Sequence, residues 1–190
     1  MTSSIRLKKV TSDKRLNELY GEEDYYWYLH CPEFERRFLK PLGSLVDQLG
    51  SCCLDVGCGE GWLCDHIDTS QYYGIDASEK AIQTARRLHP EGTFDVARFE
   101  TYANESDRTF AVVIFGGLLW LHVEPDSYVP LLQMYAERFC TTYIVVYDLV
   151  PLQTEVIERH FNLVREFQDY ADVPKIKKIK RRRKIQVYAC

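Results

Sequence analysis

The feature that most constrains this chain is a short apolar run that ends in three closely spaced glycines, residues 52–61 (CCLDVGCGEG). Such a run predicts a buried strand, a tight turn and then a helix. Asp55 precedes the first glycine by two positions, and a second carboxylate, Asp76, ends the next apolar stretch, YYGID. Acidic strand ends beside a glycine turn are typical of nucleotide-type sites at the C-terminal edge of a parallel sheet.

The glycine spacing argues against a dinucleotide ligand. The dinucleotide fingerprint places a third glycine three positions after the second, where helix and strand pack closely. This chain has Trp62 there, and a carboxylate at Asp55 would also repel a pyrophosphate. The pattern therefore favours a ligand with a cationic or donor-rich group. The alternative is an ordinary tight turn with Asp76 as a helix cap, but Ser78 can supply that cap and leave Asp76 for the ligand.

Four segments, taken together, resemble the class I S-adenosyl-L-methionine (SAM) methyltransferases. The glycine run has the acidic-x-Gly-x-Gly-x-Gly form of that family's first motif. Residues 72–78 (YYGIDAS), 94–100 (FDVARFE) and 110–117 (FAVVIFGG) are similar to the family's second, third and fourth strands with the loops that follow them. The segments occur in the family's order, and the resemblance extends over roughly residues 50–190.

The resemblance implies SAM as the cofactor, S-adenosyl-L-homocysteine (SAH) as its product, and a set of cofactor-binding positions. These positions are Asp55, Gly57, Cys58, Gly59, Asp76, Ala77, Phe99, Glu100, Phe115, Gly116 and Tyr28. The sequence departs from the family pattern at Arg98 and Ala111, where acidic residues are common. Arg98 affects the expected adenine contact, which backbone N–H groups of Phe99 and Glu100 could still supply.

Strand-like and helix-like segments alternate along the chain. We expect strands near residues 52–56, 71–76, 93–98, 110–115, 142–148, 162–170 and 184–189, and helices near 33–49, 60–67, 78–89, 126–139 and 152–160. Pro41 is expected to kink the first helix. The alternation predicts an α/β fold. With the resemblance, it implies a three-layer αβα sandwich around a mostly parallel, seven-stranded Rossmann-like sheet with an antiparallel C-terminal edge hairpin.

The composition fits one domain. A chain of 190 residues, 46% hydrophobic, can bury one core and has no room for a second domain of ordinary size. We expect a single domain over residues 1–190, with residues 13–49 forming an N-terminal helical lid on a Rossmann-like core at 50–190. No apolar stretch approaches the roughly 20 residues that span a bilayer, and the first ten residues lack the apolar segment of a secretory signal.

Cysteine usage predicts the compartment and excludes a metal site. The seven cysteines are odd in number, and several fall in strands that we expect to be buried. We therefore expect reduced thiols in a cytoplasmic protein without membrane contact. No CxxC pair or histidine cluster supports metal binding.

Candidate catalytic residues follow from the chemistry of methyl transfer. The reaction requires alignment of acceptor, methyl carbon and sulfur, and it needs a general base only when the acceptor is a poor nucleophile. His122, shortly after the fourth strand, is the candidate base, and Asp148 could orient it or hold a substrate amine. Tyr25, within an aromatic cluster at 20–28, could close over the cofactor. Each of the three residues also has a purely structural alternative. His122 could be hydrogen-bonded to the backbone, Asp148 could cap the helix that starts near Pro151, and the Tyr25 ring could pack on the sheet.

The sequence is compatible with several classes of methyl acceptor. The minimal core and aromatic lid favour an O or N atom of a small molecule, with the oligomeric state undetermined. Eight basic residues within 175–184 (KIKKIKRRRK) leave a net charge of −12 on the rest of a chain whose total is −4, and they offer RNA or a protein as the alternative acceptor. We favour a structural interpretation of this run, in which residues 184–188 form an edge strand protected by charge. A non-catalytic SAM-binding relative is the third alternative.

Overall fold

The computed structural model describes residues 14, 17–18, 35–50, 52–116, 128–139, 141–147, 151–171 and 181–190. The structural statements below concern these residues.

Seven strands form one sheet. Their bounds are β1 Cys53–Val56, β2 Tyr72–Asp76, β3 Thr93–Val96, β4 Val112–Gly116, β5 Tyr143–Tyr147, β6 Asn162–Ala171 and β7 Arg181–Ala189. The order across the sheet is β3-β2-β1-β4-β5-β7-β6. The first five strands are parallel, whereas β7 runs antiparallel to both β5 and β6. The predicted fold class, a mostly parallel Rossmann-like sheet with an antiparallel hairpin at its C-terminal edge, is confirmed.

Helices cover both faces of this sheet. Their bounds are α1 Lys40–Leu49, α2 Glu79–Leu88, α3 Phe99–Glu105, α4 Tyr128–Phe139 and α5 Pro151–Glu158. Apolar residues of α1 and α2 share one buried cluster with Val112, Ile114 and Val145 of the sheet. Residues of α3, α4 and α5 share the opposite cluster with Leu54 and Val113. Successive strand residues point to opposite faces, so the largely buried strands β1, β4 and β5 contribute to both clusters.

Two local predictions differ from the structure. Only a 3-10 turn, Cys64–His66, occupies the middle of the helix predicted near 60–67. Helix α3, which the sequence analysis did not anticipate, follows β3 directly and buries Phe99, Tyr102 and Ala103. The spacing i, i+3, i+4 of those three residues was the available signal, although seven residues are few for a periodicity argument.

The first helix contains an irregularity next to Pro41. A π-helical turn, Glu35–Leu39, leads directly into α1, and Pro41 is the second residue of α1. Proline is tolerated in the first turn of an α-helix, where its missing N–H would have no intrahelical acceptor. The break in the α-helical pattern therefore lies before the proline.

The predicted position of the last strand within the sheet is wrong. Strand β7 does not lie at the edge but between β5 and β6, and residues 185–188 are all buried. The polar residue that gave this segment its alternating pattern, Gln186, is fully buried: its amide donates to Glu166, and its oxygen accepts from the hydroxyls of Thr154 and Tyr188. A buried polar residue whose hydrogen bonds are all made within the protein therefore gives the same alternating sequence pattern as a residue that faces solvent.

Within the part of the chain that the structure describes, no helix combines the length and apolar character needed to cross a membrane.

Candidate functional site

The turn after β1 depends on glycine. Gly57, Gly59 and Gly61 have φ of 78°, 56° and 81°, in the left-handed region that other residues rarely adopt. The N–H groups of Gly57 and Cys58 both donate to the Ile75 carbonyl, at 2.8 and 3.0 Å. The turn is thereby fixed to the adjacent strand β2, and its backbone lies over the C-terminal ends of β1 and β2.

Asp76 connects this turn to the end of β2. One carboxylate oxygen accepts from the N–H of Gly59 at 3.0 Å, and the other accepts from the N–H of Ser78 at 2.8 Å. The side chain is 9% exposed. Ser78 caps α2 as expected, because its hydroxyl accepts from the N–H of Ala81 at 3.2 Å. Although Ser78 supplies the helix cap, Asp76 still accepts hydrogen bonds from the protein backbone. Each oxygen of a carboxylate has more than one lone pair, so both oxygens can accept a further donor.

Asp55 lies beneath the turn and faces the protein interior. Its Oδ2 accepts from the Tyr72 hydroxyl at 2.8 Å, the side chain is 1% exposed, and Oδ1 is buried without a hydrogen-bond partner. Burial raises the pKa of this carboxyl from 3.8 to about 7; the Tyr72 hydrogen bond opposes the shift, and the charge of Asp76 adds to it. A buried acceptor without a donor is costly, so Asp55 is suited to a ligand that brings an N–H or ammonium group.

The end of β3 accommodates the unusual Arg98. Its guanidinium donates to a carboxylate oxygen of Glu100 at 3.1 Å, so its charge is matched two residues later. The N–H of Ala97 donates to the Asp76 carbonyl at 2.9 Å and holds this loop against β2. Phe99 and Glu100 are the first two residues of α3, where backbone N–H groups point out of the helix end. These are the two N–H groups that the sequence analysis assigns to the adenine contact.

The ends of β4 and β5 contain an arrangement that sequence reasoning missed. Gly116 and Tyr147 are paired in register as the last residues of these strands. The Tyr147 ring fills the space that a side chain at position 116 would occupy. The ring of Phe38, from the turn before α1, packs edge-on against Tyr147 with 5.1 Å between centroids. Phe115, immediately before Gly116, is fully buried in the core. A strand-end glycine opposite a strand-end aromatic was the signal for this contact.

Two further predicted positions lie in the turn region. Cys58 packs against Gly74 of β2, where the space for a side chain is occupied by the Cys58 thiol. Burial, reinforced by the charges of Asp76 and Asp55, raises the pKa of this thiol well above its usual value, so it stays neutral. Ala77 is half-buried directly after Asp76.

Asn17 also reaches the site from the predicted lid, in addition to Phe38. The side-chain oxygen of Asn17 accepts from the Ser78 hydroxyl at 2.7 Å and from the N–H of Lys80 at 3.1 Å. It therefore contacts the first turn of α2, beside the end of β2. The predicted residues His122, Asp148, Tyr25 and Tyr28 lie outside the described residues.

In the described part of the chain, no group of three or more His, Cys, Asp or Glu side chains is placed to hold a metal ion. The five described cysteines, Cys52, Cys53, Cys58, Cys64 and Cys190, are free thiols.

Comparisons with known proteins agree with this geometry. Residues 53–138 match a family model described as "Methyltransferase domain". A search of curated proteins found no significant match.

Several solved structures share the fold. The N-methyltransferase NodS from Bradyrhizobium japonicum WM9, in complex with S-adenosyl-L-homocysteine, superimposes with a TM-score of 0.72 at 14% identity, over 93% of this chain and 96% of that one. Magnesium protoporphyrin IX methyltransferase (ChlM) from Synechocystis PCC 6803, with bound SAM, gives 0.66 at 14% identity over 96% and 100%. The plantazolicin methyltransferase BpumL, in complex with a pentazolic desmethylPZN analog and SAH, gives 0.54 at 12% identity over 93% and 95%.

Proposed function

We propose that this chain, whose residues 53–138 match a methyltransferase domain model, is an enzyme of the class I, Rossmann-like superfamily that transfers a methyl group from SAM to an acceptor and releases SAH. The observation that carries the proposal is the pair of carboxyl groups, Asp55 and Asp76, on either side of a left-handed glycine turn at adjacent strand ends. Crevices outside the C-terminal ends of parallel strands are where such sheets bind ligands.

Each predicted cofactor position has a role in this proposal. Asp76 receives the ribose hydroxyls, and Asp55 lies closest to the donor groups of the methionine part. The other proposed contacts are the backbone at Gly57, Cys58, Gly59 and Ala77, the adenine-side N–H groups of Phe99 and Glu100, the β4 end at Phe115 and Gly116, and Tyr28 from the lid. The buried, partnerless Oδ1 of Asp55 supports the fit, because an ammonium group would satisfy it.

The protein's task in this reaction is alignment and exclusion of water. SAM, when bound, supplies a methyl group already activated on a sulfonium. We assign the meeting point of acceptor and methyl carbon to the ends of β4 and β5, where the Tyr147 ring packs against Gly116. We assign the roles of base, orienting carboxylate and covering aromatic to His122, Asp148 and Tyr25 respectively.

The first candidate acceptor is an O or N atom of a small molecule, handled by a cytoplasmic enzyme. Structural neighbours described as an N-methyltransferase and as a magnesium protoporphyrin IX methyltransferase support this choice. The second candidate is RNA or a protein bound through residues 175–184. The course of strand β7 beyond the end of β5 supports this second candidate. A non-catalytic SAM-binding relative is the third.

Calorimetry with SAH tests the cofactor half of the proposal. Wild-type protein should bind SAH, and Asp76→Ala should weaken binding at least tenfold, or about 1.4 kcal/mol. Asp107→Ala is the matched control: Asp107 is a fully exposed carboxylate that pairs with Arg138 away from the strand ends, and its loss should leave SAH affinity unchanged. Absence of SAH binding to the wild type, or full binding to Asp76→Ala, would contradict the proposal.

Turnover separates an enzyme from a binding relative. Labelled SAM incubated with a panel of hydroxyl and amine acceptors should give a methylated product. Tight SAH binding without product from any acceptor class would favour the non-catalytic alternative.

A further inference from the structure

Strand β7 is longer than β5, its neighbour toward the centre of the sheet. Its register with β5 begins at Ile185, which pairs with Tyr147, the last residue of β5. Residues 181–184 continue past that point and, among the described residues, pair with β6 alone, from Gln168 opposite Lys184 to Ala171 opposite Arg181. Four residue pairs of the β6–β7 hairpin therefore extend beyond the sheet as a two-stranded ribbon. We call residues 168–171 and 181–184 the β6–β7 ribbon.

The ribbon extends from the same edge of the sheet as the candidate site. Because β7 is antiparallel to β5, the residues before Ile185 lie beyond the C-terminal end of β5, and that end is level with Gly116 of β4. Four residues of strand reach about 14 Å past this row. Two strand spacings, about 10 Å, separate β7 from β4. The ribbon thus borders the crevice on the side from which an acceptor would approach.

The ribbon is strongly basic. Its β7 half consists of Arg181, Arg182, Arg183 and Lys184, opposite a β6 half whose single charged residue is Asp169. The sequence immediately before Arg181 continues the same composition, as KIKKIK. The rest of the chain is acidic overall. A polyanion would therefore be repelled by most of this surface and attracted to one place beside the crevice.

Protection of a sheet edge does not account for these charges. On this side of the sheet the edge strand is β6, and its charged residues Arg165, Glu166 and Asp169 are of both signs. Strand β7 is interior where it pairs with β5. Within β7, the uniform positive charge is confined to the part that leaves the sheet next to the crevice.

We propose that the β6–β7 ribbon is a docking surface for single-stranded nucleic acid and that it presents one nucleotide of that strand to the crevice. The inference rests on the proposed methyl transfer and names its substrate class. Three consecutive arginines favour phosphate, which a guanidinium binds through two parallel hydrogen bonds. A row of several cations matches the regularly spaced phosphates of a nucleic-acid strand. Tyr170, which pairs with Arg182 across the ribbon, adds an aromatic residue of the kind on which bases stack. A single strand is favoured because its nucleotides enter a crevice without the cost of leaving a duplex.

Two variants with the same change in net charge provide the test. The ribbon variant is Arg181→Gln/Arg182→Gln/Arg183→Gln. The control variant is Arg87→Gln/Arg108→Gln/Arg159→Gln, which removes three exposed cations from elsewhere on the surface. Fluorescence anisotropy would be measured with labelled oligouridylate and oligothymidylate of about 16 nucleotides, a duplex of equal length and polyglutamate, between about 50 and 200 mM NaCl. SAH calorimetry on every variant checks the fold and the cofactor site independently.

We expect the wild type to bind the single strands more tightly than the duplex and polyglutamate. The slope of log K against log salt should be about −2 or steeper, since each neutralised phosphate of a single strand contributes about −0.7. The ribbon variant should lose at least tenfold in affinity and flatten the slope by about 2, while the control variant changes less than twofold. Tighter binding to oligouridylate than to oligothymidylate would identify RNA as the source of the phosphates, and the reverse would identify DNA.

Several results would overturn the inference. Equal losses in the two triple variants would mean that net charge, not the ribbon, governs binding. Polyglutamate binding as tightly as the oligonucleotides would assign the ribbon to an acidic protein. No oligonucleotide binding, with SAH bound normally, would remove the docking surface and leave the proposed methyl transfer in place. Failure of SAH binding in the wild type would instead remove the methyl transfer.

Discussion

At the scale of single residues, the buried carboxyl of Asp55 should make the stability of this protein depend on pH. Burial raises its pKa from 3.8 to about 7, so the folded protein keeps this proton over a range in which the unfolded chain has lost it. The contribution to stability is full below about pH 4, declines as pH rises and is lost above about pH 7. A shift of this size corresponds to about 4 kcal/mol. In the proposed function, a donor group of the bound ligand offsets the cost of burying this carboxyl.

Asp55→Asn tests this dependence because it keeps an oxygen for Tyr72 and removes the titration. We expect the free energy of unfolding in urea to fall between pH 5 and pH 8 by up to about 3 kcal/mol more in the wild type than in Asp55→Asn. The control is Glu105→Gln, an exposed carboxylate at the end of α3, which should retain the wild-type dependence. Parallel pH profiles for wild type and Asp55→Asn would show that the carboxyl is not protonated in the folded protein.

At the scale of secondary structure elements, the junction between β4 and β5 depends on a contact between their last residues. The Tyr147 ring lies where a side chain at position 116 would be, so Gly116→Ala must displace the ring. We expect this variant to lose about 1–3 kcal/mol of unfolding free energy, the usual cost of overpacking. Tyr147→Ala relieves the clash, so the double variant should be more stable than the sum of the two single changes predicts, by at least about 1 kcal/mol. Urea denaturation of the four proteins measures this coupling.

The control for that cycle uses another aromatic of the same strand. Tyr143 begins β5, at the end opposite Tyr147. Gly116→Ala combined with Tyr143→Ala should be additive within about 0.5 kcal/mol. If the Tyr147 cycle is additive as well, the two strand ends are not in contact.

The same scale shows which parts of the fold could be predicted from the sequence. Strands β1, β2, β4 and β5 were located because each is a short, mostly apolar run bounded by turn residues, and Ser78 because a capping side chain is a local property. Strand β7 was placed wrongly because burial of Gln186 depends on Glu166 and Thr154, which sequence spacing does not bring together. The contact of Tyr147 with Gly116 is likewise non-local.

The candidate site was predictable to a similar extent. The glycine turn and the carboxylates of Asp55 and Asp76 follow from local sequence, and the structure places both beside the turn. Their hydrogen bonds to Tyr72 and to the backbone of Gly59 and Ser78 depend on how β1 and β2 align. Pattern alone could identify which residues stand at the strand ends but not which protein groups they contact.

At the scale of the whole molecule, the folding unit extends beyond the region that matches the methyltransferase model. That region ends at residue 138, before β5, β6 and β7. Tyr188 of β7 belongs to the cluster on one face of the sheet, and Ile185 and Val187 belong to the cluster on the other. The C-terminal hairpin therefore helps to close both layers of the core, and β5 would become an edge strand without it.

A truncation after residue 160 should consequently fail to fold cooperatively. Removing Ile185, Val187 and Tyr188, each at most 4% exposed, forfeits about 1.5–3 kcal/mol per side chain. The sum is comparable to the 5–15 kcal/mol by which a domain of this size is usually stable. We expect residues 1–160 to show no sigmoidal urea transition by circular dichroism and no SAH binding. Residues 1–189, which lack only the exposed Cys190, should match the wild type in both measurements. A cooperative transition in the 1–160 fragment would mean that the hairpin is an appendage to a core complete without it, and the basic ribbon at its tip would then be carried by an accessory element and not by the sheet that forms the site.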